Sequence, residues 1–273
     1  MRIPFIKMHG LGNDFVVLDG RTNDLPAMTA KAALALADRR EGVGCDQVIM
    51  LGPSDAADFR MQIFNSDGSE VEACGNASRA VAVLHGSPSK VETAGGIIAL
   101  TPTDAGASVD MGKPRFEWDD IPLGYAMDAS AMPMAWSEGA GSLEAPFAVN
   151  VGNPHAVFVV EDADIVDLAA IGPVIENDPV FPQRVNVNVL SLAGPDHIKL
   201  HVWERGAGLT RACGTGACAS AVAAISKGLV QSPVIVTLPG GDLEIAWERG
   251  GSITMTGPAT EAFRGELNWE DYA

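Results

Sequence analysis

Ala73-Cys74-Gly75-Asn76 and Ala212-Cys213-Gly214-Thr215 repeat one pattern, a cysteine and a glycine at the head of a run of small residues. The two cysteines are offset by 139 positions, about half of the 273-residue chain. The repeat extends upstream. Asp58-Phe59-Arg60-Met61-Gln62-Ile63-Phe64-Asn65 aligns with His197-Ile198-Lys199-Leu200-His201-Val202-Trp203-Glu204. Both stretches alternate apolar and polar side chains, the mark of a half-buried strand. Each ends nine residues before its cysteine. Gln47 aligns with Asn186 at the same offset, and Gly12-Asn13-Asp14-Phe15-Val16-Val17 resembles Gly152-Asn153-Pro154-His155-Ala156-Val157. Matched polar pairs in one register read as an internal duplication.

Side chains two apart on a strand share a face. Asn65 therefore ends the apolar face of Phe59, Met61 and Ile63, and Glu204 ends that of Ile198, Leu200 and Val202. One reading is that each strand end emerges into solvent. Their matched position before the cysteine turns favours a ligand as partner, because an unpaired amide or carboxylate is costly to bury. Residues 75–86 and 214–228 read as helices, and Thr29 as the cap of a helix running to Arg40. Strands are expected near 14–19, 47–51, 89–101, 147–160, 185–192, 233–238, 242–247 and 251–256. Residues 119–145, rich in Pro, Gly, Ala and Ser and without periodicity, read as a connection. The expected fold class is α/β (α+β): two similar domains, each a curled mixed or antiparallel sheet around a central helix. The expected division is 1–125 and 126–273, with the extreme C-terminus packing back on the first domain.

Bulk properties exclude several function classes. The net charge of −17 argues against nucleic acid, which needs clustered Lys and Arg. No apolar run is long enough to span a membrane, and the first residues read as a short strand rather than a signal peptide. Four cysteines in 273 residues are no disulfide scaffold, which points to a cytoplasmic location. Cys213 and Cys218 are not followed by a second Cys/His pair, so no zinc site is expected.

A thiol at a helix start meets a partial positive charge and several unused backbone N–H groups. That setting favours thiolate, and the same N–H groups bind carboxylates. Two such thiols, one per half, suit removal of a proton from one face of a carbon and its return on the other, as in racemisation or epimerisation. The opposing reading makes each cysteine a small buried hydrophobe. Duplication favours chemistry for Cys74 and Cys213 and leaves Cys45 and Cys218 as packing residues. A cysteine–histidine hydrolase would leave one matched cysteine idle. His155 is an auxiliary candidate, with capping of its turn as the alternative.

The stretches His9-Gly10-Leu11-Gly12-Asn13-Asp14-Phe15, Asn65 to Asn76, Gly152 to His155 and Trp203 to Cys218 resemble, in order and over nearly the whole chain, the diaminopimelate epimerase family. The resemblance implies a cofactor-independent, metal-free isomerase. Its substrate would be L,L- or meso-2,6-diaminopimelate, on the route to lysine and peptidoglycan precursors. It also implies a homodimer. Cys74 would take the proton from the L,L isomer and Cys213 would deliver one to the other face. Gly75, Asn76, Gly214 and Thr215 would hold the reacting carboxylate through backbone groups. Asn13, Asn65, Asn153, Asn186, Glu204 and Arg205 would read the distant amino-acid head, and Gln47 would line the pocket. Three departures stand out: Ala77-Ser78-Arg79-Ala80 where the family usually has Gly-Ala-Arg-Cys, Cys45 in place of a small alanine, and Leu209 and Arg211 in the loop before Cys213. None removes an acid–base group.

Two rivals follow from the same residues. Proline or hydroxyproline racemases resemble this chain in fold and paired cysteines, but usually carry histidine where Asn76 stands. A redox-sensing protein could use a Cys74–Cys213 disulfide, but would not need the polar residues of the distant pocket.

Overall fold

Alternation of Phe59, Met61 and Ile63 with more exposed neighbours builds the strand around which the first half is organised. The computed structural model describes residues 1–71, 74–138 and 141–273; Glu72 and Ala73 of the first cysteine motif, with Gly139 and Ala140, lie outside them. The chain forms two units, Met1–Asp110 with Thr256–Ala273, and Met111–Met255.

The first unit contains β1 (Arg2–Gly10), β2 (Asn13–Asp19), α1 (Ala30–Ala37), β3 (Gln47–Gly52), β4 (Phe59–Asn65) and β5 (Glu70–Val71). It continues with α2 (Gly75–His85), β6 (Ser89–Thr93), β7 (Gly96–Thr103), β8 (Gly106–Asp110) and a C-terminal strand, Thr260–Asn268. Its sheet runs from the C-terminal strand through β1, β2, β3, β4, β6 and β7 to β8, with β5 beside the end of β4. The β2–β3 and β4–β6 pairings are parallel. The neighbours β1–β2, β3–β4, β4–β5 and β6–β7 are antiparallel.

The second unit begins with a hairpin of β9 (Ala135–Glu138) and β10 (Gly141–Glu144). There follow β11 (Phe147–Asn150), β12 (Pro154–Val159), α3 (Leu168–Glu176), β13 (Asn186–Gly194), β14 (His197–Glu204) and β15 (Gly208–Thr210). Then come α4 (Gly214–Ser226), β16 (Val234–Leu238) and β17 (Gly241–Ala246). Here β12–β13 and β14–β16 are parallel, whereas β11–β12, β13–β14, β14–β15 and β16–β17 are antiparallel. Pairing for pairing this is the topology of the first unit, so the duplication holds at the level of strand connectivity.

Each unit encloses one helix. Gly75 to Ala82 of α2 are all buried, as are Ala217, Cys218, Ala219, Ser220, Ala221, Val222, Ala223 and Ala224 of α4. Both helices are buried over most of their length and so belong inside a core, and their small side chains let strands approach closely. Helix α2 packs against β1, β7, β8 and the C-terminal strand, and α4 against β11 to β14, β16 and β17. A second layer covers the outer face. In the first unit Ala33 and Leu36 of α1 pack with Val16, Leu18, Val48 and Phe64. In the second, Ile171 and Ile175 of α3 pack with Phe158, Val187 and Val189.

Local differences from the sequence reading have identifiable causes. Thr29 caps α1 by accepting from Ala32 N at 3.1 Å. The helix ends at Ala37, short of Arg40, because the Asp38 carboxylate accepts the backbone N–H groups of Arg40 and Glu41 at 2.7 and 2.8 Å. Such local bonds compete with the helical ladder. Residues 89–101 form a hairpin rather than one strand, turning at Ala94-Gly95 between paired Thr93 and Gly96. Residues 119–145 supply Ile121, Leu123, Ala129, Met132, Trp136 and Leu143 to the α3 core and so are more than a connection. Among the described residues no helix is long and apolar enough to cross a membrane.

Candidate active site

In the first unit Asn13, Gln47 and Asn65 lie at one end of three adjacent strands, two parallel and one returning. Gln47 Nε2 donates to Asn65 Oδ1 at 3.0 Å, and Asn65 Nδ2 donates to Ser69 Oγ at 3.2 Å. Gln47 Oε1 is buried with no hydrogen-bond partner among the described residues, an acceptor left for another group. Cys74, half-buried, occupies the N-cap of α2 in extended conformation (φ −147°, ψ 113°). Its carbonyl accepts the first helical bond, from Ser78 N at 2.9 Å. The backbone N–H groups of Gly75, Asn76 and Ala77 therefore precede any helical acceptor.

The Asn76 side chain is committed within the unit. Its Nδ2 donates to Asn13 Oδ1 at 3.1 Å, and its Oδ1 accepts from Arg79 Nη2 at 2.9 Å. Arg79 is fully buried and also donates to Pro258 O at 3.3 Å. Asn13 Nδ2 in turn donates to Asp46 Oδ2 at 2.9 Å. Asp46 and Asp14 exchange backbone-to-carboxylate bonds at 3.0 Å, and Arg39 reaches both carboxylates at 2.7 Å. Burial would raise the Asp14 carboxyl, but hydrogen bonds from Arg39 and Lys7 outweigh it and hold the group well below the usual carboxylate range. Asn13 and the first turn of α2 are thus braced by a charged network.

The second unit repeats the arrangement with different groups. Asn153 precedes β12, Asn186 opens β13, Glu204 closes β14 and Cys213 caps α4. Cys213 is 4% exposed, and its Sγ accepts from Gly216 N at 3.3 Å, with Thr215 Oγ1 at 3.5 Å. Burial, then the charge of Glu204 and its hydrogen bond to the thiol, push Cys213 well above the ordinary thiol range despite Thr215 and Gly216. Glu204 also accepts from Thr210 Oγ1 at 2.6 Å. The N–H groups of Gly214 and Thr215 precede the first helical bond, from Ala217 N to Cys213 O.

Asn186 bridges the chain, donating to Pro154 O at 2.8 Å and accepting from Arg205 N at 3.0 Å. The loop after Glu204 is also held by the buried Glu176 carboxylate, which accepts from Trp203 Nε1 at 2.7 Å and Gly206 N at 2.9 Å. Asn153 and Arg205 line a cavity of about 310 Å³ with Arg115, Asp119, Asp120 and Gln183. Of the cysteines left to packing, Cys45 is buried and pushed up to about 12, chiefly by that burial, and Cys218 is buried in α4.

His155 is fully buried, with Nε2 2.8 Å from Asn153 Oδ1 and Nδ1 3.0 Å from Asn188 Nδ2. Burial lowers its pKa from 6.5 to about 3, so the ring is neutral at physiological pH. Between pH 6.5 and 3 the unfolded chain binds a proton that the folded chain does not, so stability falls as pH falls through that window. The expected slope from this group is up to about 1.4 kcal/mol per pH unit. Denaturant unfolding at pH 7, 6 and 5 checks it: His155→Gln should lose stability less steeply than the natural chain, and parallel losses would contradict the assignment.

Three further residues belong to these two arrangements and escaped the sequence reading. Arg79 is the one charged residue in a helix of small side chains, Asp46 precedes Gln47, and Asn188 stands two residues after Asn186 on one strand face. Asn188 had a signal, since two asparagines on the same face of an apolar strand call for internal partners. Among the described residues no group of three or more His, Cys, Asp or Glu is placed to hold a metal ion.

The duplicated α+β architecture is an established fold. A crystal structure of a phenazine biosynthesis protein of the PhzF family from Bacillus anthracis superposes with a TM-score of 0.67, covering 98% of this chain and 99% of that one at 14% identity. Sequence then narrows the class. The family model described as diaminopimelate epimerase matches residues 5–117 and 147–261. The diaminopimelate epimerase of Erythrobacter litoralis is 64% identical over 100% of both chains. That of Sphingopyxis alaskensis is 59% identical over 98% of both. The chain belongs to the diaminopimelate epimerase family.

Proposed function

We propose that this chain interconverts L,L- and meso-2,6-diaminopimelate by a two-base proton transfer that needs no cofactor. The observation that carries the reading is the matched pair of cysteines, each the N-cap of the enclosed helix in one of two duplicated units. In the L,L-to-meso direction Cys74 takes the α-proton and Cys213 supplies one to the opposite face. Burial and Glu204 favour the protonated form of Cys213, as an acid requires. Once its proton is given up, Gly216 N–H and the Thr215 hydroxyl are placed to stabilise the thiolate. The roles exchange in reverse.

An amino-acid α-proton is weakly acidic, so the developing carbanion needs electrostatic stabilisation. Backbone N–H groups of Gly75, Asn76, Gly214 and Thr215 supply it by holding the reacting carboxylate at positive helix ends. Asn13, Gln47, Asn65, Asn153, Asn186, Glu204 and Arg205 read or brace the distant head. Among these, Asn13 and Asn186 act partly by organising their neighbours, as their internal hydrogen bonds indicate. The two domains of the sequence reading each contribute one cysteine. The product would feed lysine and peptidoglycan precursors in the cytoplasm, and the working form is proposed to be a homodimer.

The test is incubation with L,L-diaminopimelate in deuterated water, with reductant and no added cofactor. Deuterium should appear at the α-carbon of the meso product, and free L-proline should exchange none. Epimerisation with full retention of the α-hydrogen would overturn the two-base scheme. Turnover of L-proline in preference would transfer the assignment to the racemase reading. A folded, reduced protein inert toward both would leave the redox reading of Cys74 and Cys213.

A further inference from the structure

We propose that Asn188 is a positioning residue: from β13 it fixes the tautomer of His155 and, through that ring, the orientation of the Asn153 amide. The inference deepens the function proposed above and rests on it only for its kinetic readout.

Asn188 is fully buried on β13, paired with Val202 and Val157 of the neighbouring strands. A carboxamide in such surroundings is costly unless its polar atoms find partners. Its Nδ2 lies 3.0 Å from His155 Nδ1, 3.2 Å from Ala156 O and 3.2 Å from Asn186 O. The two backbone carbonyls determine which end of the amide points there. An oxygen in that place would face two acceptors, whereas the NH2 group donates to them. Asn188 Oδ1 is thereby turned the other way, buried and without a hydrogen-bond partner among the described residues. It stands 2.7 Å from where a Cβ on Gly216 would sit.

The consequence passes to His155. An amide NH2 offers only donors, here two hydrogens shared among three acceptors, so a proton on Nδ1 would face no acceptor. Nδ1 of the neutral ring stays unprotonated and the ring proton sits on Nε2. That proton is directed at Asn153 Oδ1, 2.8 Å away. With its oxygen engaged, Asn153 keeps its NH2 group for other acceptors at the cavity that it lines with Arg205. Asn153 thus presents donors, the polarity suited to a ligand carboxylate. Two main-chain carbonyls of β12 and β13 set this polarity through two buried side chains, neither of which lines that cavity.

The experiment is long-range 1H–15N correlation of the imidazole resonances at pH 7, with His155 assigned by its loss in His155→Gln. The natural chain should show His155 neutral with the proton on Nε2. Asn188→Asp replaces the donor by an acceptor of equal size, and should move the proton to Nδ1 or charge the ring. The KM for L,L-diaminopimelate should rise about tenfold or more, as expected when a hydrogen bond to a charged group is lost, with a smaller change in kcat. Asn188→Leu, which removes the donor and offers no acceptor, should raise KM without charging the ring. An Nδ1–H ring in the natural chain would overturn the proposal even if both variants failed to fold. So would an unchanged tautomer and KM in folded Asn188→Asp. The spectra read the tautomer whether or not the chain turns over diaminopimelate, so failure of the functional reading is distinguishable.

Discussion

Serine in place of either Cys74 or Cys213 should cut epimerisation of L,L-diaminopimelate by about 10² to 10⁴-fold, the usual contribution of one general acid or base. The loss is one of chemistry and not of folding. Both cysteines are N-caps, and serine is among the most favoured N-cap residues. A serine at 213 can accept the Gly216 N–H that Sγ now accepts at 3.3 Å, so the start of α4 is preserved. What is lost is a group able to exchange a proton near neutral pH, because a hydroxyl is a far weaker acid than a thiol. The check is kcat/KM in both directions, with unfolding midpoints measured alongside. Both variants should fail with midpoints near that of the natural chain. Full activity in one of them would favour a single-base route and remove the reason for the duplication.

Alanine at Gly216 should damage both stability and rate. A Cβ there would lie 2.7 Å from Asn188 Oδ1, 3.0 Å from Val202 Cγ2 and 3.2 Å from Cys213 Sγ. None of these neighbours yields easily. The Asn188 NH2 group shares its two hydrogens among three surrounding acceptors, Val202 is core, and Cys213 is the helix cap. Overpacking of this kind costs about 1–3 kcal/mol. The gain in helix propensity over glycine, about 1 kcal/mol, does not cover the upper part of that range. The thiol is the atom whose displacement matters most for rate, since a shift on the order of 1 Å from productive geometry costs about 10²-fold. Denaturant midpoints and turnover measured on the same preparation test both halves. Wild-type values for each would show that the helix start is looser than its contacts imply.

Much of the architecture could be read from the chain. The offset of 139 carried the strand before each cysteine, the helix after it and the polar pairs Gln47/Asn186 and Asn65/Glu204, and the two units share pairing after pairing. The face parity of β4 and β14 was legible because alternation is a property of the strand alone. Residues 119–145 were not legible as core. Their apolar side chains come at irregular intervals from turns and a short hairpin, and only the α3 layer makes them buried. The commitments of the candidate site were equally hidden. Asn76 is held by Arg79 and Asn13, and Asn186 by Pro154 and Arg205, through partners on other elements.

Repetition, periodicity and capping residues are local features written along one stretch of chain, and they settled the two-fold architecture and the family and singled out the two matched cysteines. The protonation of Cys213, the neutral ring of His155 and the direction of each asparagine amide depend on desolvation and on donors and acceptors from strands tens of residues away. Those energies arise only after the strands have packed, which is why the fold had to be seen before the acid–base state of its residues could be assigned.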